Sequence, residues 1–394
     1  MSVDTELDAA EPPADTDPET ADQRRRFTAG RAFPLLVGVI AAVVLLLGWQ
    51  LAGTRTLAGT PTVNAADLES IERGFSDGSG AGQLAPDTAG PIVPTPEPPP
   101  PPPVTQAPKK PAGPGAVQAG QAPSPGQVGY RGDAAGLTVV DGPGSAPAGT
   151  RWEGGVLRID GGDVTLDGLY VKGGIEYSGR GTLAVRNSIV EGNKNMHSPI
   201  IGNSGHVDVR DSTIRWKAGD GPPDDHWGNG GVHGDSRFTV IRCDISGTPD
   251  GIQTGGHDSR FEQNYIHDLA MLGTYPNNTH NDGIQSYGGR NVVILNNRID
   301  LLDKQGKAYN GHQNAALFFM PDGGWPLVDV QIVGNYLVGG GYTLRLGSPT
   351  TNAIVTDNKF GPTTGGWGEL LVEGAQISKW ANNTDVNGKQ LAKP

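Results

Sequence analysis

The sequence predicts an all-β fold, a single-stranded parallel β-helix of about 8–10 coils, preceded by one transmembrane helix and a disordered Pro-rich linker. Three observations lead there. Short apolar rows recur at roughly 20–25-residue spacing, glycine is in excess, and the N-terminal third passes from a charged tail to an apolar run to proline.

Composition sets the outer bounds. Of 394 residues, 61 are Gly and 32 are Pro. A glycine share near twice the ordinary ~7%, without a G-x-y period, excludes collagen and argues against a helix-rich protein. The single Cys excludes an intrachain disulfide. The formal net charge is −12, so no nucleic-acid partner is expected.

Residues 1–31 read as an acidic cytoplasmic tail ending in basic residues. Ala32 to Trp49 is an uncharged apolar run of eighteen residues. Extended to residue 53, it is long enough to cross a ~30 Å hydrocarbon layer as a helix. Arg24, Arg25, Arg26 and Arg31 precede it and only Arg55 lies close after it, so the positive-inside rule keeps the N-terminus in the cytoplasm. The run exceeds the usual signal-peptide apolar region and no small-residue cleavage site follows, so a retained single-pass anchor in the cell membrane is expected. Residues 54–127 hold fifteen prolines between Pro86 and Pro125, including Pro98 to Pro103. Such a stretch stays unfolded and semi-extended, a spacer for an extracellular domain at 128–394.

The repeat within that domain is an apolar residue, a small or amide residue three later, and an apolar residue two beyond. The rows are Val185-Ser188-Val190, Val209-Ser212-Ile214, Val240-Cys243-Ile245, Phe261-Asn264-Ile266, Ile294-Asn297-Ile299, Ile332-Asn335-Leu337 and Val355-Asn358-Phe360, with Leu166-Leu169-Val171 a weaker first member. The spacings are 19, 24, 31, 21, 33, 38 and 23 residues. A hairpin meander needs reversing turns of fixed length, whereas stacked coils tolerate this variation. Asn at one corner of each coil can bond the Asn above and below, and Cys243 in that column reads as a buried packing thiol.

The long spacings come from insertions near 215–229, 267–281 and 300–314, which one corner would raise into a wall beside a flat sheet. They hold Trp216, Asp224, Asp225, His226, Trp227, His267, Tyr275, His280, Lys304, Lys307, Tyr309 and His312. If Val232, Ile252, Ile284 and Leu344 point inward, the two-residue period turns His233, Gln253, Gln285 and Arg345 outward as the floor of a groove. Asp250 and Asp282 open equivalent Asp-Gly-Ile-Gln strands, so adjacent coils stack them at roughly 5 Å between Cα atoms. Such a pair suits shared-proton or acid/base chemistry, and Asp before Gly equally suits a backbone-capping corner.

Over residues 137–386 the pattern resembles the right-handed parallel β-helix superfamily of pectate lyases, polygalacturonases and tailspike-like proteins. The resemblance implies the fold; the activities it spans are lyase, hydrolase, epimerase and binder. The stretch from Thr279 to Gln285 is similar to the Asn-Thr-Asp-Gly-Ile-Asp strand of polygalacturonases, which implies a hydrolytic role for Asp282 alone. The next coil reads Gln313-Asn-Ala-Ala-Leu where that family has two adjacent Asp.

The expected partner is an extended polysaccharide, cleaved or modified by one of two schemes. A lyase or epimerase would use His280, His233, His312 or Tyr275 as base and Lys304, Lys307 or Arg345 as carboxyl neutralisers. A hydrolase would use Asp250 and Asp282. Gln253, Gln285, Trp227, Tyr275, Arg345 and Lys304 would bind the sugar. The rival is a non-catalytic glycan-binding adhesin or envelope-organising protein, which needs the aromatics and Gln ladder but no acid/base pair. No cofactor is expected; Ca2+ is the metal that Asp224, Asp225 and Asp282 would suit, although no loop has a cation-binding spacing. Monomer and homotrimer both fit the sequence.

Overall fold

Strand formation follows from alternation. Thr182–Arg186 buries Leu183 and Val185 and leaves Thr182, Ala184 and Arg186 part-exposed, the pattern of a ribbon with one face in a core. The computed structural model describes residues 116–193, 196–216, 230–274, 277–302, 314–321, 325–363 and 367–394. The acidic tail, the span 32–53 and most of the Pro-rich segment lie outside them. Among the described residues no helix is long and apolar enough to cross a membrane.

Each coil lays one strand into each of three sheets of nine, ten and ten strands. The first sheet begins with Val164–Asp167, the second with Thr138–Val140, joined by Leu169–Lys172, and the third holds Ile175–Tyr177. Pairing within these sheets is parallel except at the third sheet's first edge, where Arg151–Glu153 folds back on Val156–Ile159. The repeat rows sit in register: Leu166, Val185, Val209, Val240, Phe261, Ile294, Ile332 and Val355 form one inward column of the first sheet. Val171, Val190, Ile214, Ile245, Ile266, Ile299, Leu337 and Phe360 form the facing column of the second. All are buried in one continuous apolar core.

The corner between these sheets is built the same way in coil after coil. Asn187, Asp211, Arg242, Gln263, Asn296, Asp357 and Asn382 adopt positive φ between 44° and 62°, each just before the ladder residue. Left-handed backbone costs a side-chain-bearing residue of order 1 kcal/mol, so something at the corner must offset it. The ladder does. Asn297 accepts the Asn264 backbone N–H at 3.0 Å and its amide at 2.9 Å, and donates to Phe261 O at 2.9 Å and Asn335 Oδ1 at 3.0 Å. Asn335, Asn358 and Asn383 continue the scheme. Cys243 occupies the same column, fully buried, with Sγ near Val209 O and Ile241 O, and burial pushes its thiol up to about 12. A neutral, enclosed thiol of this kind is a packing group.

One feature differs from expectation, and one extends the repeat beyond its last row within the expected domain. Residues 118–121 fall in the stretch expected to be free linker, yet Gln118 and Gln121 carbonyls accept Gln263 Nε2 at 3.0 and 3.4 Å. The chain then bonds Arg242 O through Gly129 N at 2.9 Å before reaching the second sheet. The helix also runs past Phe360: Ile377–Ala381 and Thr384–Asp385 add a further rung, closed by the bond from Trp380 Nε1 to Leu391 O at 3.0 Å.

Candidate functional site

The site lies on the third sheet, where the strands Gly230–Gly234, Asp250–Thr254, Ile284–Ser286, Ala315–Phe319 and Tyr342–Gly347 stack in order. Val232, Ile252, Ile284, Leu317 and Leu344 pair in register and are all fully buried. The next position along each strand carries His233, Gln253, Gln285, Phe318 and Arg345, so period two puts them on the opposite face. The expected ladder exists, with Phe318 as an added rung.

The glycine of each Asp-Gly-Ile-Gln strand has a packing cause. A Cβ on Gly251 would strike Ile266 Cγ2, and one on Gly283 would strike Ile299 Cγ2 and Ala316 O. Close approach of the third sheet to the second at this corner therefore demands glycine. Gly283→Ala is expected to cost about 1–3 kcal/mol, read as a fall in unfolding midpoint, because the methyl has nowhere to go.

The aspartates at these strand starts split their oxygens between two tasks. Asp250 Oδ1 accepts the Asp282 backbone N–H at 2.8 Å, and Asp282 Oδ1 accepts the Ala315 N–H at 2.9 Å. This is the corner-capping role. The other oxygen of each is different: Oδ2 of Asp250 and Oδ2 of Asp282 are buried and have no hydrogen-bond partner among the described residues. An ionised carboxylate would be strongly disfavoured there. Burial, then the neighbouring Asp282 charge, holds Asp250 well above the usual carboxylate range. Burial pushes Asp282 up to about 8, against the Ala315 N–H, the Asn314 amide and Arg345, which favour the ionised form. Both acids are therefore shifted toward the protonated form, Asp282 far enough to hold its proton at neutral pH, and they titrate as a pair.

Around them, Gln253 Nε2 donates to Gln285 Oε1 at 3.0 Å and to the Tyr287 hydroxyl, while Gln253 Oε1 is buried without a partner among the described residues. Burial lifts the Tyr287 hydroxyl well above its ordinary range, and the charges of Asp250 and Asp282 add to this. His233 is part-exposed, its Nδ1 has no partner among the described residues, and burial lowers its pKa, so the ring is neutral at pH 7. Arg345 Nε donates to Glu373 Oε2 at 3.0 Å and its guanidinium carbon lies 5.4 Å from the Phe318 ring centre. His280 is buried, with its Nδ1 at 3.1 Å from the Asn314 amide nitrogen. At the far edge of the sheet Trp325 lies beside the exposed His257, ring centres 6.1 Å apart.

Asp250, Asp282, His280, His233, Gln253, Gln285 and Arg345 thus share one region. His312, Trp227, Tyr275, Lys304, Lys307, Tyr309, His226, Asp224 and Asp225 lie outside the described residues. Among the described residues no three His, Cys, Asp or Glu side chains converge as a metal site.

Three expectations need correction. Gln253, Gln285 and Arg345 were expected as an open groove floor; they are 4%, 3% and 8% exposed. Their polar groups bond sideways between coils and to Tyr287 and Glu373 in place of water. Trp216 was expected in the wall of the groove; it ends the strand Thr213–Trp216 and packs on Val156, Met196 and Ile201. His267, also expected there, lies at the end of Tyr265–His267 in the second sheet, between Asp244 and Asp268.

Sequence reasoning missed Tyr287, Asn314, Phe318 and Glu373. Tyr287 was findable, since it stands two residues beyond Gln285 on the same face. Phe318 and Glu373 had no such signal, because their strands lack the Asp-Gly-Ile-Gln motif.

Residues 155–319 match the family described as right handed beta helix region. This stretch folds as a parallel β-helix, consistent with that description. The match covers the coils that carry the Asp250 and Asp282 strands. No curated protein and no solved structure matches the chain, so the fold carries no named activity with it.

Proposed function

We propose that this chain is a membrane-anchored extracellular β-helix protein that binds an extended polysaccharide on its third sheet and cleaves it by acid catalysis, with Asp282 as proton donor. The observation that carries this reading is the buried pair of carboxyls whose Oδ2 atoms are left unpartnered and whose burial shifts both toward the protonated form. A capping role uses one oxygen and is served equally by Asn, as in the neighbouring corner ladder. An acid held neutral near pH 7 is the form a general acid needs. In the reaction, Asp282 Oδ2 gives its proton to the glycosidic oxygen as the C–O bond breaks. Water adds to the anomeric carbon, and the proton it releases restores the acid.

Gln253, Gln285, Tyr287 and His233 supply hydrogen-bonding groups along the same strands, and Trp325 and His257 supply aromatic faces for a sugar ring. The lyase or epimerase scheme draws less support, since Arg345, its carboxyl neutraliser among the described residues, is held by Glu373. Anchoring rests on the apolar run 32–53 with its arginine-rich leading flank, and places the β-helix outside the cell.

A second reading, a non-catalytic glycan-binding surface protein, is favoured by one observation: Asp250 and Asp282 are 0% and 1% exposed. One experiment separates the two. The full-length chain in detergent is incubated with neutral and uronic polysaccharides, and new reducing ends and polymer retention are both measured. Reducing ends from wild type and none from Asp282→Asn support cleavage. Retention without reducing ends leaves the binder, and neither signal on any polymer ends the polysaccharide reading.

A further inference from the structure

The polar groups left open at the site differ in kind from those already used, and the difference bears on which sugar fits. Gln253 commits its Nε2 hydrogens to Gln285 Oε1 and the Tyr287 hydroxyl, so its remaining capacity is the acceptor Oε1. A buried acceptor without a partner costs about 1–3 kcal/mol until a donor arrives. Asp250 and Asp282 lie close enough to act electrostatically on Tyr287, the hydroxyl that Gln253 bonds, and His233 pairs with Gln253 in the same ladder. Four of the buried polar atoms without a partner among the described residues, Gln253 Oε1, Asp250 Oδ2, Asp282 Oδ2 and His233 Nδ1, therefore fall on three successive coils. Together they ask for a ligand that offers several O–H groups and takes some in return.

Formal charge points the same way. Arg345 is the described cation of the ladder, and its Nε is spent on Glu373 at 3.0 Å. Phe318 separates it from Gln285 in the stack. Asp235, whose Oδ1 lies close to Gly255, adds negative charge beside His233 and Tyr287. A carboxylate brought to Gln253 Oε1 would have no proton to give it, and would sit beside two carboxyls whose burial already resists ionisation.

We infer that the sugar unit seated over Asp250, Asp282 and Gln253 is neutral and hydroxyl-rich, not a uronate. This rests on the polysaccharide reading above and narrows its substrate class to uncharged glycans such as glucans, galactans or mannans. The hydroxyls of such a unit donate to Gln253 Oε1 and accept from the carboxyl protons, satisfying buried atoms without bringing a charge into the site. Entry is from the part-exposed members of the cluster, Tyr287 and His233.

The test is a binding titration of the full-length chain with neutral gluco-, galacto- and manno-oligosaccharides against oligogalacturonate and oligoglucuronate of equal length, at low and high salt. At least one neutral series is expected to bind about tenfold or more tighter than either uronate, with an affinity that salt leaves unchanged. Gln253→Ala is expected to weaken that binding by about tenfold, and Tyr287→Phe, which keeps the ring, by a smaller factor with a modest fall in unfolding temperature from the orphaned Gln253 donor. Tighter binding of a uronate, weakened by salt, overturns this inference and leaves the polysaccharide reading standing. Failure of every oligosaccharide in both classes overturns both.

Discussion

Asp282→Asn is expected to end turnover and to flatten the dependence of stability on pH, while the fold persists. Asparagine keeps the oxygen that accepts the Ala315 N–H, so the corner remains capped. It removes the proton on Oδ2, which is the only chemistry assigned to that side. The pH effect has a definite sign. In the unfolded chain an Asp titrates near 4, whereas in the fold Asp282 is pushed up to about 8. Between these values the folded chain holds a proton that the unfolded chain has released. Stability is therefore complete below about pH 4 and is lost as pH rises towards 8, at up to about 1.4 kcal/mol per pH unit for each such carboxyl. Asp250 shifts in the same direction and contributes its own share. Denaturant unfolding across that range should show wild type losing stability with rising pH and the Asn variant losing it about half as steeply. A flat wild-type curve would remove the buried protonated pair, and unchanged turnover in the variant would remove Asp282 from the chemistry. Turnover of wild type should also decline above about pH 8, as the donor loses its proton.

The fold was legible because a stacked coil writes its geometry into the sequence at fixed offsets. Rows from Leu166 to Phe360, read off as apolar, small or amide, apolar, are in register in the sheets, since such triplets mark the same corner each time. The last rung, Trp380-Asn383-Asp385, lacks the second apolar residue and so escaped notice, although Asn383 completes the ladder. The docking of residues 118–121 was illegible for another reason. Their backbone carbonyls make the contact to Gln263, and carbonyls are the same in every sequence.

The site was legible in outline only. Two identical Asp-Gly-Ile-Gln strands disclosed both the stacked aspartates and the glutamine ladder, because register converts sequence identity into adjacency. What could not be read was burial. Whether Asp282 is a hydrated carboxylate or an enclosed acid depends on what encloses it, and single residues such as Tyr287, just past the motif, and Glu373, from a coil without it, help set that environment. Polar residues on the outward face led to the expectation of an open floor. The lateral bonds of Gln253 and Arg345 show how an outward polar side chain can be enclosed without facing water.

The largest loss of stability is expected from Asn297→Ala. The substitution removes the acceptor of the Asn264 backbone N–H and of the Asn264 amide, and the donor to Phe261 O. Asn264, Asn297 and Asn335 are 0–1% exposed, so water cannot replace these bonds. At about 1–3 kcal/mol for each orphaned group, the loss should reach about 3–5 kcal/mol, a large part of the 5–15 kcal/mol typical of a whole domain. The early coils supply an internal control. Ser212 fills the same column, accepting the Ser188 N–H at 3.1 Å and donating to Arg210 O at 2.8 Å. Asn297→Ser should therefore recover one acceptor and one donor and cost roughly half as much as alanine in urea unfolding. Equal losses for Ser and Ala would mean that the cavity, not the hydrogen bonds, sets the cost, and a loss below about 1 kcal/mol for Ala would deny the ladder its structural role. The same variant bears on the site, since Ile299, two residues on, is the side chain against which Gly283 closes. If the corner holds that coil in register, loosening it should weaken polysaccharide retention as well as the fold, whereas Asp282→Asn should abolish turnover alone.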